Sequence, residues 1–589
     1  MALAQLPIAG MRPDLGRYQE PVQSPRRIVN GWFKDNQVLP FVTPQIITAL
    51  RQVTVNGTSA TFPDELLPNA VWSSLGTGRL ELAENPSSGT ITAATPQIHP
   101  ASAWVRSIVV SRRDNAVLNF FMQGSRVYAV LSIHETSPGL VDRWSSAIDI
   151  LNDTGTNQNA SLNNWYTGDM AAFGDRVFFS TGGALRYIQQ TEDSSLANLV
   201  TIGNSTGSFV SGNWFLRQLR VTGDTGNDPA SETADIVNWT DIIAKVGDVL
   251  AVKTNVPSEY SNSVSWSGIN NPLEFDPVVD LTAGNIAFPD RIDAIASISK
   301  DMVVFTRSGI QYGRFTGNSA SLFSFRTIET SPIIGKKAHV TYERTLYWMA
   351  IDGFYSMGEN GVIQPIGDGH LDRRILDILS PVQSLVDSVS CLVDTYRGLV
   401  IWNTPLVAAA NLRLSIIYNI RNGTWTMRET DFAVPLVSGS QANAAGRNSW
   451  IAKSDWGIYT ERASDIVSIG GERFELLPRV QQCRINWPVT RLDPKDRTRV
   501  VALHMNVLGD ERFTHDNFDG RKIVRLDIAQ GNTLQNILTD QVFSDELNQE
   551  VVTLNPQARF TEIAVSAENF REINPPLLEY ERSSSGRVR

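Results

Sequence analysis

The sequence contains few cysteines and no excess of basic residues. Cys391 and Cys483 are the only two cysteines in 589 residues, which excludes a disulfide framework and fits assembly in a reducing cytoplasm. Lys and Arg number 51 against 61 Asp and Glu, so the formal net charge is −10. A protein that wraps or reads duplex DNA carries a concentrated basic surface. The composition therefore argues against tight duplex binding, but it is compatible with a protein through which DNA passes without being bound tightly.

Long hydrophobic runs and familiar catalytic motifs are also missing. The longest apolar runs, such as residues 405–410, end early or contain helix breakers, so no transmembrane segment is predicted. Residues 1–17 lack a charged region followed by a long apolar stretch, and we expect no signal peptide. The histidines form no i, i+4 pair, and Gly76-Thr77-Gly78 lacks the third glycine of a dinucleotide fingerprint. We predict no catalytic residue, no cofactor, no metal site and no enzymatic activity.

The length and composition that are present predict a folded protein of several domains. Hydrophobic residues make up 42% of the chain and charged residues 19%, and 589 residues exceed what one core usually holds. Residues 1–40 contain five prolines, which disfavour helices and central strands, so an extended N-terminal arm is predicted. Residues 41–105 alternate short apolar runs with turn residues, which predicts a β-rich segment joining the next domain.

A hairpin unit recurs between residues 106 and 468. In each copy a short apolar strand is followed by a glycine turn and by a second strand that carries a tyrosine. The clearest copies have strand starts at Val177, Val303, Leu346 and Trp450, and tyrosines at Tyr187, Tyr312, Tyr355 and Tyr459. Weaker copies start at Val127, Leu250 and Leu399. Successive starts are 43–53 residues apart, except for one step of 73.

This period is typical of the blades of a β-propeller. Strands that are apolar on both faces need cover on both sides, and stacked blades provide that cover. We therefore predict an all-β fold with a propeller of six to seven blades over residues 106–468, including a polar insertion at about 190–245. An irregular β-sandwich whose hairpins resemble one another is the alternative.

Outside the repeat, two further elements are predicted. A helix over Leu371–Leu379 is expected because Leu371, Ile375 and Ile378 would share one face. From residue 469 the pattern changes to alternating strands, with Val501, Leu503, Met505 and Val507 on one face and Ile563 and Val565 on another. We predict a separate C-terminal β-sandwich over 469–580 and a flexible tail over 581–589.

Several groups of charged residues are candidate sites. Glu274, Asp276, Asp290 and Asp293 lie close in sequence, and propellers do host glycosidases that use two acids, but use in turns is the preferred interpretation. The stretch 516–520 hints at a calcium loop, yet Phe518 breaks the order of ligands. The basic pairs Arg112-Arg113, Lys336-Lys337 and Arg373-Arg374 could meet phosphates in a channel, although a solvated face or a subunit ion pair is preferred.

Residues 261–366 resemble a known family. The stretch from Trp266 through Asn270, Asn271 and Pro272 to Phe275 is similar to a W-S-x-x-N-N-P-x-x-F pattern of podovirus tail proteins. The continuation also resembles that family at Tyr312, Ser331, Pro332, Gly335, Trp348, Gly353 and Tyr355. The family is that of the packaged-DNA stabilisation, tail-hub or nozzle proteins of short-tailed bacteriophages. The segment 27–33 is similar as well, though less closely, and the C-terminal domain has no matching motif.

The resemblance implies a structural virion protein of the phage tail, assembled in the host cytoplasm. Such subunits form a ring, often of six, below the portal and adaptor proteins and offer a platform to tail fibres or a tail needle. The resemblance also implies that the ring lines the DNA exit channel, retains the packaged genome and passes double-stranded DNA at ejection. We expect a neutral to acidic lumen to prevent the duplex from sticking, with loops of the 190–245 insertion closing the channel.

Two other classes of function were compared with this one. The first alternative is a propeller-type tail component that binds or cleaves glycans. A cytoplasmic scaffold of the kelch or WD type is the other, and it lacks support because the signatures of those repeats are missing.

Overall fold

The fold is all-β, and it contains a β-propeller. The structure is a computed structural model that describes the strands whose bounds follow, the stretches 25–41, 169–174, 242–254, 262–367, 389–395, 397–405, 413–430 and 482–490, and Leu6, Leu185 and Thr240. Among these residues there is no helix. The predicted helix over Leu371–Leu379 lies outside them. No helix that could cross a bilayer occurs in the described part of the chain.

Seven antiparallel sheets follow one another along the chain, and they are the blades. Their strands, from the inner strand to the outer, have the following bounds. Blade one contains Ser107–Ser111, Ala116–Gln123, Arg126–Ile133 and the short pair Arg143–Trp144 and Ile148–Asp149. Blade two contains Asp169–Phe173, Arg176–Ser180, Arg186–Gln190 and Trp214–Gln218. Blade three contains Ile243–Val246, Val249–Thr254, Ser263–Trp266 and Gly284–Ala287.

The remaining blades have the same four-stranded plan. Blade four contains Ile292–Ile298, Asp301–Thr306, Gly309–Asn318 and Ser321–Glu329, and blade five contains His339–Tyr342, Thr345–Met349, Phe354–Gly358 and Ile363–Pro365. Blade six contains Ser390–Asp394, Leu399–Pro405, Arg413–Asn419 and Thr424–Thr430. Blade seven contains Leu436–Gln441, Asn448–Ala452 and Ile458–Thr460, and Gln45–Ile46 from the N-terminal part of the chain adds its fourth strand.

The blades close into a ring. The inner strand of each blade contacts the inner strand of the next, from blade one through blade seven, and the inner strand of blade seven contacts that of blade one. The pairing of Gln45–Ile46 with Ile458–Thr460 joins residues more than 400 positions apart and completes the last blade. This closed cycle defines seven blades, within the predicted range of six to seven.

The recurring hairpin of the sequence is the middle of each blade. Six of the seven predicted strand starts fall in the second strand of a blade, and the tyrosines fall in the third. In all four of these blades the tyrosine pairs directly across the hairpin: Phe178↔Tyr187, Val303↔Tyr312, Trp348↔Tyr355 and Trp450↔Tyr459. The seventh start, Val127, lies in the third strand of blade one, because Asn119 interrupts the apolar run of the true second strand.

The hairpin turn at Gly309 needs glycine. Its φ of +149° lies in a region that L side chains rarely adopt, and a Cβ there would come within 2.5 Å of the carbonyl oxygen of Ile328. We expect Gly309→Ala to lower the free energy of unfolding by about 1–3 kcal/mol, because a backbone atom must move. Urea denaturation measures the loss. Gly358→Ala is the matched control, since the nearest atom to its Cβ would be 3.6 Å away, and an equal loss in both variants would contradict this account.

A β-sandwich follows the propeller. One sheet contains Gly31–Lys34, Gln37–Pro40, Phe570–Ser583, Arg497–Gly509 and Val551–Thr553, with Ala2–Gln5 and Gln557–Ala558 attached to its long strands. The other contains Tyr18–Gln19, Val489–Thr490, Phe560–Glu568, Cys483–Asn486 and Arg27–Val29, with Ile523–Gly531 and Gln541–Glu546 beside it. Side chains of both sheets share one core, which includes Ile563, Val565 and Val507 as the alternation predicted.

Three small elements complete the described chain. Leu50–Val55, Thr58–Pro63 and Gly89–Ala93 form a three-stranded sheet. Asp465–Ile469 pairs with Glu472–Leu476, and Thr514–His515 pairs with Phe518–Asp519. The last hairpin is the turn that the sequence favoured over a calcium loop. Trp214–Gln218 lies within the segment predicted as a polar insertion, so part of that segment is the outer strand of blade two.

The N-terminal segment 1–40, predicted as an extended arm, is extended in its described parts but is hydrogen-bonded to the body of the protein. Arg27–Val29 lies between Cys483–Asn486 of the sandwich and Thr424–Thr430 of blade six, so one continuous sheet runs through both domains. Asn30 strengthens the junction, because its side chain donates to the Gln482 carbonyl and accepts from the Glu429 N–H. Proline did not prevent this pairing, since Pro25 precedes the strand and Pro40 ends the next hairpin.

Candidate functional site

The family-like residues begin at a corner of blade three, between its third and outer strands. Asn270 has a φ of +57° and donates its N–H to the Asp248 carbonyl at 2.8 Å. Asn271 pairs with Gly268, and Gly268 donates to the Glu274 carbonyl at 2.8 Å. Asn tolerates the left-handed conformation, and Pro272 follows in the buried part of the turn. The Asn-Asn-Pro sequence therefore forms a tight, fully bonded corner.

Trp266 and Phe275 pack on opposite faces of blade three. Trp266 meets Phe323 of blade four edge to face at 5.4 Å, and its Nε1–H donates to the Thr282 carbonyl at 3.1 Å. Phe275 is buried in a different cluster, together with Phe178 and Leu185 of blade two. The two aromatic residues of the motif thus hold blade three to its two neighbours.

Tyr312 links blade four to blade five. Its hydroxyl donates to Asp301 Oδ2 at 2.5 Å and lies 3.0 Å from the Glu359 carbonyl, and Arg326 lies over its ring at 5.3 Å. Burial, and then the hydrogen bond to Asp301, raise the pKa of Tyr312 well above its usual value. The phenol therefore stays protonated at neutral pH and acts as a fixed hydrogen-bond donor.

The other motif residues, from Ser331 to Tyr355, lie in blade five and in the loop that leads into it. Asp352 accepts hydrogen bonds from the Ser331 and Tyr355 hydroxyls, and the Ile351 N–H donates to the Pro332 carbonyl at 3.1 Å. Tyr355 stacks on the buried Trp348 at 5.6 Å. Gly335 and Gly353 accept backbone hydrogen bonds from Ala338 and Ala350 within this loop pair. Trp348 and Tyr355 lie on the second and third strands of blade five, and the other residues lie in the loops beside them, separate from the Asn270 corner.

Three of the four carboxylates that are candidates for an acid pair have local roles. Glu274 accepts from the Asp276 N–H at 2.8 Å, and Asp276 accepts from the Val278 N–H at 2.8 Å. Asp293 forms an ion pair with Arg291 at 3.3 Å. Three of the four thus cap turns or pair with a neighbour, as the sequence interpretation preferred, and Asp290 shows no comparable role.

The two thiols of the described chain are held in their neutral form. Burial raises the pKa of both thiols, Cys391 and Cys483, which makes neither a nucleophile at neutral pH. Lys337 is only 7% exposed, so the Lys336-Lys337 pair does not offer two open phosphate contacts. The other basic pairs, Arg112-Arg113 and Arg373-Arg374, lie outside the described residues. No group of three or more potential metal ligands occurs among the residues that the structure describes.

Comparisons with known proteins give structural similarity alone. No protein-family model matches the chain, and no curated protein matches its sequence. The β-propeller domain of Cps50 (Swd1) from Myceliophteria thermophila is 9% identical with a TM-score of 0.33, over 62% of this chain and 96% of that one. Virginiamycin B lyase from Staphylococcus aureus is 8% identical with a TM-score of 0.33, and the match covers 61% of this chain and 98% of the lyase. Hsv2 from Kluyvelomyces marxianus is 8% identical with a TM-score of 0.29, and the match covers 55% of this chain and 88% of Hsv2. Similarities at this level do not assign a function.

Proposed function

We propose that the chain is a structural subunit of a short-tailed phage tail, a nozzle or hub that forms a ring below the portal and adaptor. The ring lines the DNA exit channel, retains the packaged genome and passes it at ejection. The proposal rests on the resemblance of residues 261–366 to that family. It does not rest on the similarity to other propellers.

One observation supports a structural role over a chemical one. The residues that carry the resemblance bind other parts of the same chain: Trp266, Phe275 and Tyr312 each connect neighbouring blades. The propeller and the sandwich also share a continuous sheet through Arg27–Val29. Such a continuous sheet suits a part of a particle that must withstand the pressure of packaged DNA.

The charge of the chain is consistent with a passage for DNA. A net charge of −10 repels phosphate and disfavours adhesion of the duplex during transit. In a ring of this kind, a narrow channel opening would retain the genome, and binding of DNA by basic residues would not be needed. Fibres or a needle would then attach to the outside of the ring or below it.

The test is the assembly state and the location of the protein. Mass photometry and negative-stain images of the purified chain should show rings, with a mass near six times the 65.0 kDa of one chain. Gold-labelled antibodies against the chain should bind purified short-tailed phage particles at the tail, on the far side of the portal. A stable monomer that is absent from the particles would overturn the proposal.

The glycan alternative gains no support from the described carboxylates. Glu274 and Asp276 are occupied as turn caps, and Asp293 is paired with Arg291. Release of reducing sugar from host polysaccharide by the same purified protein would revive this alternative. We expect no release.

A further inference from the structure

One connection on the propeller is unlike its neighbours. Because strands alternate in direction, the connections from first to second strand and from third to outer strand lie on the same face of the disc. Blades three to six have eight of these connections, and seven of them span two or four residues. The eighth joins the third strand of blade three to its outer strand and spans residues 267–283. It carries three apolar side chains, Val278, Val279 and Leu281, which are 86%, 64% and 70% exposed.

The exposure of these side chains is fixed by the loop itself. Asp276 caps the Val278 N–H, and Asp280 Oδ1 accepts from both the N–H and the hydroxyl of Thr282, at 2.9 and 2.6 Å. The Ala283 N–H donates to the Asp280 carbonyl at 2.9 Å. A loop bonded in this way presents its apolar side chains in a preset position. Single exposed apolar residues are ordinary, but three within four positions mark an interaction surface.

A cavity of about 520 Å³ lies beside the exposed side chains. Its walls come from the loop, from the outer strand of blade three and from the hairpin of blade four, and include Trp266, Leu281, Ile286, Ser321, Phe323 and Phe325. This volume is in the range of ligand pockets and admits one or two large side chains. The outer strand Gly284–Ala287 is the edge of its sheet, so an extended segment can pair with it.

The loop that contributes Leu281 and Thr282 to the cavity wall is acidic, and its charge selects the partner. Glu274, Asp276 and Asp280 lie on the loop, and none of them has an ion-pair partner among the described residues. Lys300, the nearby lysine of blade four, is paired with Asp248 at 3.0 Å. We propose that this corner, residues 274–287 with the hairpin at 319–325, binds an extended segment of another protein. That segment inserts an apolar side chain into the cavity and places Lys or Arg beside the three carboxylates.

The test uses a library of random twelve-residue peptides, selected against the full-length chain. Enriched peptides should share an aromatic or large aliphatic residue flanked by Lys or Arg. We expect Ser321→Trp, which fills the cavity, to weaken their binding at least about tenfold. Ser324→Trp is the matched control, because Ser324 is also exposed on the same strand but does not line the cavity, and binding should be unchanged.

The role of charge is tested separately. The double variant Asp276→Asn, Asp280→Asn keeps the side-chain oxygens that cap the loop and removes two charges. Peptide affinity should fall by about three- to tenfold and lose most of its dependence on salt. Glu329→Gln is the control, because Glu329 lies at the end of the strand Ser321–Glu329 that is far from the cavity. This variant should leave the peptide affinity and its salt dependence unchanged.

Hydrogen exchange locates the binding, since bound peptide should slow exchange over residues 277–287. Unfolding curves of all variants should match the parent, because every changed residue is at least partly exposed. Enrichment of acidic or uncharged peptides, equal binding to Ser321→Trp, or protection elsewhere would overturn the proposal. Self-association that Val278→Ser abolishes would also overturn it, because the occupant would then be a second copy of the chain.

Discussion

Replacing Phe41 with alanine is expected to lower the free energy of unfolding by about 3–5 kcal/mol. Phe41 is fully buried against Leu392 and Ile401 of blade six. The guanidinium groups of Arg397 and Arg428 lie over its ring at 5.2 and 4.9 Å. Loss of the ring leaves a cavity and removes both cation–π contacts, which favours the upper part of this range. Because Phe41 follows the sandwich strand Gln37–Pro40 and packs on blade six, the loss should affect both domains.

Urea denaturation followed by tryptophan fluorescence measures this loss. Phe41→Leu keeps most of the volume but not the ring, so its loss should be intermediate. Val279→Ala is a suitable control, because Val279 is 64% exposed and its truncation should change stability by less than about 0.5 kcal/mol. A loss below about 1 kcal/mol for Phe41→Ala would show that the junction contributes little.

Trp402→Ala is expected to have a comparable effect, about 3–5 kcal/mol. Trp402 is fully buried, meets Phe354 at 4.9 Å and stacks near Trp425 at 6.0 Å. Its Nε1–H donates to the Ala338 carbonyl at 3.2 Å, which ties blade six to the start of blade five. The change therefore opens the largest described core of the propeller, the one shared by blades four, five and six.

Trp402→Phe separates packing from hydrogen bonding. The Ala338 carbonyl also accepts from the Met349 N–H at 3.0 Å, so it stays satisfied when the indole is removed. The loss for Trp402→Phe should therefore be smaller, about 1–2 kcal/mol. Ile351→Ala, at a side chain 53% exposed in blade five, is the control and should be nearly neutral. Equal stability of Trp402→Ala and Ile351→Ala would contradict the assignment of Trp402 to the core.

The repeat in the sequence was sufficient to predict the propeller, for a local reason. The second strand of a blade is apolar on both faces, as in Asp301–Thr306 and Thr345–Met349, and in the clearest copies a short turn joins it to the third strand. A hairpin such as Val303 to Tyr312 is therefore visible within ten residues. Outer strands such as Gly284–Ala287 carry no continuous apolar run, and the sequence pattern did not show them. Trp214–Gln218 lies between polar stretches of sequence and was therefore included in the predicted insertion.

The candidate surface was only partly visible in the sequence. The motif from Trp266 to Phe275 was recognised, and its role as a corner was expected from Asn270-Asn271-Pro272. The exposure of Val278, Val279 and Leu281 could not be predicted, because an apolar run after a turn is equally consistent with a buried strand. The cavity depends on Phe323 and Phe325 of the next blade, which no local pattern connects to Trp266.

The sequence by itself determined the all-β class, the blade period and the alternating strands of the C-terminal domain, because these follow from side-chain spacing along a strand. The tertiary structure alone decided which distant strands pair: Gln45–Ile46 closes blade seven, and Arg27–Val29 joins the sandwich to blade six. It also decided that Ser390, Asn403, Ser415 and Arg428 form a buried row across blade six. Backbone pairing is nearly independent of side-chain identity, so its partners over hundreds of residues are set by the packing of the whole chain.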